Sequence, residues 1–473
     1  MKIRYILILL CFLNLSCQKI LDKDPQNQLS LEETFSTFAG TKSAMLGAYN
    51  SLFETSYYNG LRMAYPEVKG GNTKYSQRSL NHLLAEYDLT STAVASEMNA
   101  TYATIYQVLN NLNNVLKYTP ALPDATTAQK NRLLAEAKTI RALAHFDLLQ
   151  LYAQPYTFTT DASHLGIVLA LEPIVANKSE IKRSTVAVGY QAVLADLKEA
   201  ITLFASSERV FTSGNKANYA TSEMAEALLA RAYLNMGSWQ NAYTSAGKLI
   251  DGKSFTLFTN GNYVNAWTLK NTSESIFEIA PPTNFSGNSY GNYFDVVNGG
   301  NYLQYAATDD LLNLYSSTDI RRKDNFYKTK VTAGVTYYYT AKYPTSSIYA
   351  TGIKVLRISE MYLIRAEAAA ELGLLAQANA DLNIIRQRAD LMAPTPALAS
   401  KDALIQAILL ERRKELNYEG FLLFDLARRK QNIVRNDCQS LECGLNYPSA
   451  RYILPIPEAS VISNPLMIQN PEY

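Results

Sequence analysis

The chain runs to 473 residues, enough for one large or two modest domains, and its 48% apolar content is ample for a packed core. Lys plus Arg is 44 against 42 for Asp plus Glu, a balance that gives no electrostatic footprint for nucleic acid or an anionic membrane surface. Only 3 His leave little material for histidine-based metal or acid–base chemistry, whereas Tyr reaches 33 beside 2 Trp.

The first elements point to export. Lys2 and Arg4 precede the apolar run Ile6 to Leu13, and then comes Asn14-Leu15-Ser16-Cys17. A basic start, a short apolar stretch and a small residue before cysteine are the layout of a bacterial secretory signal, residues 1–16, cut ahead of a lipidated Cys17. An ordinary signal cut nearby is the alternative. The apolar run is well short of the about 20 residues that a membrane-spanning helix needs. Without Lys2 and Arg4 the rest of the chain carries 42 basic and 42 acidic residues.

Downstream, Ser56 to Asn81 is rich in Gly, Asn, Ser and Tyr and reads as a long loop. Leu133, Ala137, Ile140, Ala144, Leu148 and Leu151 then recur at three- and four-residue spacing, predicting a helix with one apolar face. His145 sits inside that helix and is expected to be a packed core residue. An internal repeat follows: Ala230, Ala232, Gly237 and Ala242 match Ala366, Ala368, Gly373 and Ala378 at one constant offset. Small residues on one helix, a Gly turn and small residues on the next let two helices pack closely, the logic of tetratricopeptide (TPR) hairpins. Between the copies lie two more loop-like stretches, Pro281 to Thr308 and one containing Tyr337, Tyr338, Tyr339 and Tyr343. Loops on a rigid frame are where binding residues usually sit.

Near the end, Glu411 and Glu415 lie one helical turn apart and could be an acid–base couple. Arg412, Arg413 and Arg428 are interleaved with Glu411, Glu415, Glu419 and Asp425, which favours a partly buried Arg–carboxylate network instead, with Gly420 ending the first helix. Asp319 and Arg321 read the same way. No nucleophile elbow, metalloprotease helix, phosphate-cradling Gly loop or Cys/His constellation is present. Cys11 leaves with the signal and Cys17 takes lipid, so Cys438 and Cys443 remain, and in an oxidising compartment they are expected to pair. No His or second cysteine pair lies nearby to complete a zinc shell. The tail, Arg451-Tyr-Ile-Leu-Pro455-Ile-Pro457 through Asn464-Pro465 to Gln469-Asn470-Pro471-Glu472-Tyr473, is punctuated by prolines and can be neither helix nor central strand. Its apolar residues, Ile453, Leu454, Ile456 and Leu466 among them, predict an extended ribbon laid across the body.

This tail resembles the signature end of the SusD/RagB family of cell-surface nutrient-binding lipoproteins. The resemblance continues in Leu21-Asp22-Lys-Asp-Pro25, in Tyr106-Gln-Val-Leu109-Asn-Asn-Leu-Asn113, in the run from Glu136 to Tyr152, and in Glu360-Met-Tyr-Leu-Ile-Arg365-Ala-Glu-Ala. It implies a mainly α fold, with four TPR-like helix hairpins in a curved scaffold, a loop-rich ligand region and few short strands. Residues 17–220 would form the N-terminal part, and residues 221–473 the C-terminal part with the TPR-like pairs, the loop-rich insert and the ribbon. The implied function is a lipoprotein on the outer face of the outer membrane. It would capture a neutral oligosaccharide or polysaccharide and pass it to a SusC-like TonB-dependent transporter as that transporter's lid. A RagB-like peptide-binding lid and a TPR-type adaptor without a small-molecule site are the alternatives. The resemblance implies no catalysis, cofactor or metal. If the pocket lies where it does in characterised members, its residues are Tyr57, Tyr58, Arg62, Asn72, Arg78, Tyr290, Tyr293, Asn298 and Tyr302. Tyr102 stands where the family usually shows Trp.

Overall fold

The structure, a computed structural model, describes residues 30–76, 81–175, 180–282, 290–294, 304–344, 351–395 and 397–473. The signal, Cys17, Arg78, Asn298 and Tyr302 therefore lie outside the described residues. Eleven helices of seven or more residues form the frame among the described residues. They are α1 (Phe38–Leu52), α2 (Leu61–Gly70), α3 (Met98–Tyr118), α4 (Thr127–Tyr152), α5 (Val186–Ala205), α6 (Ser222–Met236), α7 (Trp239–Asp251), α8 (Ile358–Glu371), α9 (Leu375–Ala389), α10 (Lys401–Leu416) and α11 (Leu422–Arg428). Hydroxyl side chains start many of them. Thr126 closes a capping box with Gln129 ahead of α4, and Thr185, Thr221 and Ser400 each accept a backbone N–H at the start of α5, α6 and α10.

Each helix packs on the next along the series α3, α4, α5, α6, α7, α8 and α9, with α10 against both α8 and α9. The predicted face of α4 is fully buried, but the helix is not amphipathic there. Residues 141 to 149 are buried all round, because α3 and α5 cover it on two sides and α1 also reaches it. The two repeat copies are the hairpins α6–α7 and α8–α9. Gly237 and Gly373 take positive φ at their turns (+69° and +76°), which a glycine adopts without strain. Their alanines are fully buried, and α7 packs directly on α8. The hundred residues between the copies thus loop out, and the hairpins stack as if contiguous.

The inserted and flanking segments make small two-stranded sheets. β1 (Thr73–Tyr75) pairs antiparallel with β3 (Tyr305–Ala307), and β2 (Ser275–Ile279) with β6 (Ile353–Arg357). β4 (Tyr327–Thr332) and β5 (Val335–Thr340) form a hairpin, and β7 (Ile433–Val434) meets β8 (Gly444–Leu445). Two stretches read as loops from sequence are therefore ordered elements. Ser56–Asn81 contains α2, all ten of whose residues are buried, and Tyr337–Tyr339 lie in β5.

The charges of α10 are scaffold. Glu415 accepts from Arg388 (2.5 Å), Arg357 (2.6 Å) and Arg321 (2.9 Å), and Glu411 accepts from Arg321 (2.7 Å), all within the interior. Arg321 also forks onto Asp319 at 2.8 and 2.9 Å. Glu411 and Glu415 are bound to guanidiniums, as a structural network requires. The helix ends at Leu416, four residues before Gly420. His145 is fully buried, and burial, with Arg141 nearby, pushes its pKa down to about 3, so it is neutral.

The proline-rich tail crosses the body, and Ile453 to Pro457 are buried. The Leu454 N–H donates to Leu151 O (2.9 Å), and Asn470 Nδ2 donates to Tyr152 O and Leu454 O (2.9 and 2.7 Å). Between the prolines, however, Glu458–Ser463 forms a short helix begun by Pro457, a place where a preceding proline's fixed φ does no harm.

Candidate functional site

The two segments singled out by sequence meet in space. β1 lies near the end of the first and β3 near the end of the second, and their pairing sets Tyr75 opposite Tyr305. The Ser76 N–H donates to Gln304 O (2.8 Å), and the Tyr290 N–H donates to Asn59 Oδ1 (3.3 Å). Ser76 and Gln304 thus lie side by side. β5 packs beside β3, and the half-exposed ring of Tyr337 packs with Ala306 of β3 and with Tyr339.

The side chains beneath that face are spent internally. Asp147 of α4 accepts from Tyr57 Oη (2.7 Å), Tyr58 Oη (2.8 Å) and Arg62 Nε (2.9 Å), while Arg62 Nη2 reaches Gln150 Oε1 (2.9 Å). Burial, reinforced by the Asp147 charge, pushes both phenols well above their usual pKa and keeps them protonated donors. Asn72 donates to Glu67 Oε2 (2.7 Å) and accepts from Arg413 Nε (2.9 Å). Glu67 also accepts from the Gly420 N–H (2.9 Å); burial raises its pKa against these hydrogen bonds. Tyr290 donates to Tyr418 O (2.7 Å), with its ring edge-on to Phe294 and Tyr343. Tyr293 is buried between Phe294 and His82.

The expectation of exposed, ligand-facing rings is accordingly not met at Tyr57, Tyr58, Tyr290 or Tyr293, and Arg62 and Asn72 are likewise buried. These six residues hold the base of the loop face. Their Tyr and Asn content drew attention because interior polar anchors and sugar-binding residues share one composition.

A closed loop braces the same base. Cys438 and Cys443 form a disulfide with Cα atoms 5.7 Å apart. Next to it, Asp437 accepts from Lys74 Nζ of β1 (2.8 Å) and from the Asp309 N–H just past β3 (2.7 Å). Arg435 donates to Tyr87 O (2.6 Å) and lies over the Tyr87 ring, which is edge-on to Tyr75.

Comparison with known proteins decides what this architecture is. Residues 288–473 match the family model described as "SusD family", and residues 19–234 match the one described as "Starch-binding associating with outer membrane". A SusD superfamily protein of Bacteroides thetaiotaomicron superimposes with a TM-score of 0.82 at 27% identity, covering 92% of this chain and 100% of that one. The chain belongs to the SusD family. A Bacteroides vulgatus protein provisionally named as sugar binding superimposes with a TM-score of 0.81 at 26% identity, over 93% of this chain and 99% of its own. SusD-like protein P25 of Formosa agariphila is 22% identical, over 99% of this chain and 98% of its length.

This SusD-family chain has a second concavity that the sequence did not disclose, a cleft of about 1060 Å³ between α3, residues 168–175 and 180–182, and the tail around Pro457–Met467. Tyr102 and Tyr106 line it with ring centroids 4.7 Å apart. Tyr102 was noticeable in the sequence only as a substitute for Trp. Among the described residues no group of three or more His, Cys, Asp or Glu is placed to hold a metal.

Proposed function

We propose that this SusD-family protein captures a neutral oligosaccharide or polysaccharide at the loop face and passes it to a SusC-like TonB-dependent transporter, acting as its lid. It does so as a lipoprotein anchored through Cys17 at the outer surface of the outer membrane. The observation that carries the reading is the match of residues 19–234 to a model described as starch-binding and associating with the outer membrane. The convergence of the two flagged segments on one face supports it. In this reading Arg78, Asn298 and Tyr302, together with the half-exposed Tyr337, meet the ligand. Tyr57, Tyr58, Arg62, Asn72, Tyr290 and Tyr293 fix the base of that face. Aromatic faces stack on the C–H faces of sugars, and Arg and Asn supply hydrogen-bond donors for hydroxyls. The protein needs no chemical step for this role.

Isothermal titration of residues 18–473 against starch, other neutral polysaccharides and a set of oligopeptides tests the reading. Binding of a glycan that is lost on Tyr337→Ala with Arg78→Ala is the expected result. Binding of peptides alone moves the assignment to a RagB-like lid, and silence across both panels leaves an adaptor.

A further inference from the structure

The cleft beside α3 lies apart from the loop face, and Tyr106 and the asparagines of its walls are engaged by backbone groups. Tyr106 Oη donates to Val168 O (3.0 Å). Asn113 Nδ2 donates to Ala170 O and Glu172 O (2.8 and 3.0 Å), and Asn110 Oδ1 accepts from the Ile174 N–H (2.8 Å). Asn99 donates to Ala93 O (3.0 Å), and Asn464 to Ile181 O (2.8 Å). The polar groups still free for a ligand are therefore the charged side chains Glu172, Glu180, Glu458 and Lys182.

The cleft also leaves apolar side chains unspent. Val94 is 68% exposed, Ile174 72% and Val175 62%, with Leu171 and Ile181 also in solvent. Apolar side chains clustered like this at a concave surface mark an interaction site more often than scattered surface hydrophobics do. The charged side chains lining it are Glu172, Glu180, Glu458 and Lys182, three carboxylates against one ammonium, in a chain that is otherwise close to neutral. From Asn99 to Asn113 the floor runs along about 21 Å of helix, at about 1.5 Å per residue. That length takes roughly four turns of a second helix. A bed of apolar side chains edged by charge is how a helix-in-groove interface is built.

We propose that this cleft docks a partner protein through an amphipathic helical segment whose apolar face is flanked by Lys or Arg. The apolar anchors enter between Tyr102, Ile174 and Val175, and the basic flanks meet Glu172, Glu180 and Glu458. The proposal does not depend on the glycan reading, since no residue of the cleft belongs to the loop face.

Fluorescence anisotropy with a labelled 14-residue peptide, Leu at helical spacing and Lys elsewhere, tests the chemistry; the same peptide with Glu for Lys is the control. The Leu/Lys peptide should bind the folded protein. Ile174→Asp with Val175→Asp should weaken that binding at least tenfold, and Glu180→Gln with Glu458→Gln severalfold, with a smaller salt dependence. Both variants should keep the melting temperature and glycan affinity of the parent. Equal binding of the Glu peptide, or no change in either variant, overturns the proposal. Displacement of the peptide by laurate at equal potency reassigns the cleft to small amphiphiles, and concentration-dependent dimerisation lost in the Asp variant reassigns it to a second copy. In producing cells, a photo-crosslinker at Val175 should join one envelope protein through a basic, Leu-rich segment, whereas one at Val331 on the β4–β5 hairpin should not. A crosslinked peptide that is acidic or polar throughout refutes the assignment.

Discussion

At the base of the loop face, Tyr57 and Tyr58 hand their hydroxyls to the carboxylate of Asp147, and Tyr290 hands its own to a carbonyl, so rings and polar groups are sealed together. In the cleft beside α3 the polar groups of Tyr106 and three asparagines are also satisfied, but by the backbone of a surface segment, and the apolar side chains of that segment stay in solvent. The same residue types thus build a rigid foundation in one place and an unfilled groove in the other. The partner of each polar group separates the cases. An acceptor in the interior, whether the Asp147 carboxylate or the Tyr418 carbonyl, fixes a ring for good, whereas backbone acceptors at the surface only shape the wall.

The sharpest way to break the foundation is Asp147→Ala. Three donors lose their acceptor, and Arg62 keeps a buried charge facing an apolar methyl. Removing one partner of a buried pair costs about 3–5 kcal/mol. Urea denaturation should report a loss of that size, and a shift below about 1 kcal/mol would mean that Asp147 does not anchor the three groups. Acid attacks the scaffold's other carboxylates. Burial raises the pKa of Glu367, but Arg428 and Arg429 outweigh it and hold the value at about 2, against 4.5 for a free carboxyl. A depressed folded pKa means that the stabilisation is complete above pH 4.5 and disappears as pH falls through about 2. At about 1.4 kcal/mol per unit the loss is about 3 kcal/mol. Glu367→Gln should flatten that limb of a pH–stability curve, and an unchanged acid limb would contradict the assignment.

The disulfide comes next in size. Its loop is short, so Cys438→Ser with Cys443→Ser should cost at most about 2–3 kcal/mol. Because Asp437 and Arg435 tie that loop to β1, Asp309 and Tyr87, hydrogen exchange should quicken at residues 73–76 and 304–309 before it does in α4–α9. Uniform quickening would show that the loop braces nothing in particular. Tyr290→Phe removes one hydrogen bond while keeping the ring, and should cost about 1 kcal/mol, mostly from leaving Tyr418 O unpaired.

The legible parts of the molecule were those in which one contiguous pattern does one job. The repeat alanines with their turn glycines gave the two hairpins, and the interleaved Arg and Glu of α10 gave the charge network. The tail's apolar and proline alternation gave the buried ribbon, though not its single helical turn. α2 was hidden because a helix buried on every side has no polar face to set its period, and Gly60, Pro66, Gly70 and Gly71 make it look like a loop. The meeting of the two flagged segments rests on strands of three residues, too short to leave a pattern of alternation. Tyr57, Tyr58 and Tyr290 could not be told from ligand-facing rings, since their acceptors are 89 or more residues away in sequence. The cleft was invisible for the same reason: α3, residues 168–175 and 180–182, and the tail contribute its walls separately.

The smallest expected effect is also the one that separates the two regions most cleanly. Ile174 is 72% exposed, and only its backbone N–H is engaged, by Asn110. Ile174→Ser removes apolar surface that folding never buried and leaves the backbone bond in place, so stability should stay within about 0.5 kcal/mol of the parent, as for most surface substitutions. A side chain of similar size in the foundation behaves differently: Met63, buried in α2, should lose about 2–5 kcal/mol on truncation to Ala. The two values measured by the same denaturation assay test whether the cleft's apolar surface is idle in the folded monomer. A loss of 2 kcal/mol or more for Ile174→Ser would mean that the surface is already covered by some part of the chain itself, and the groove would then have no vacancy for a partner.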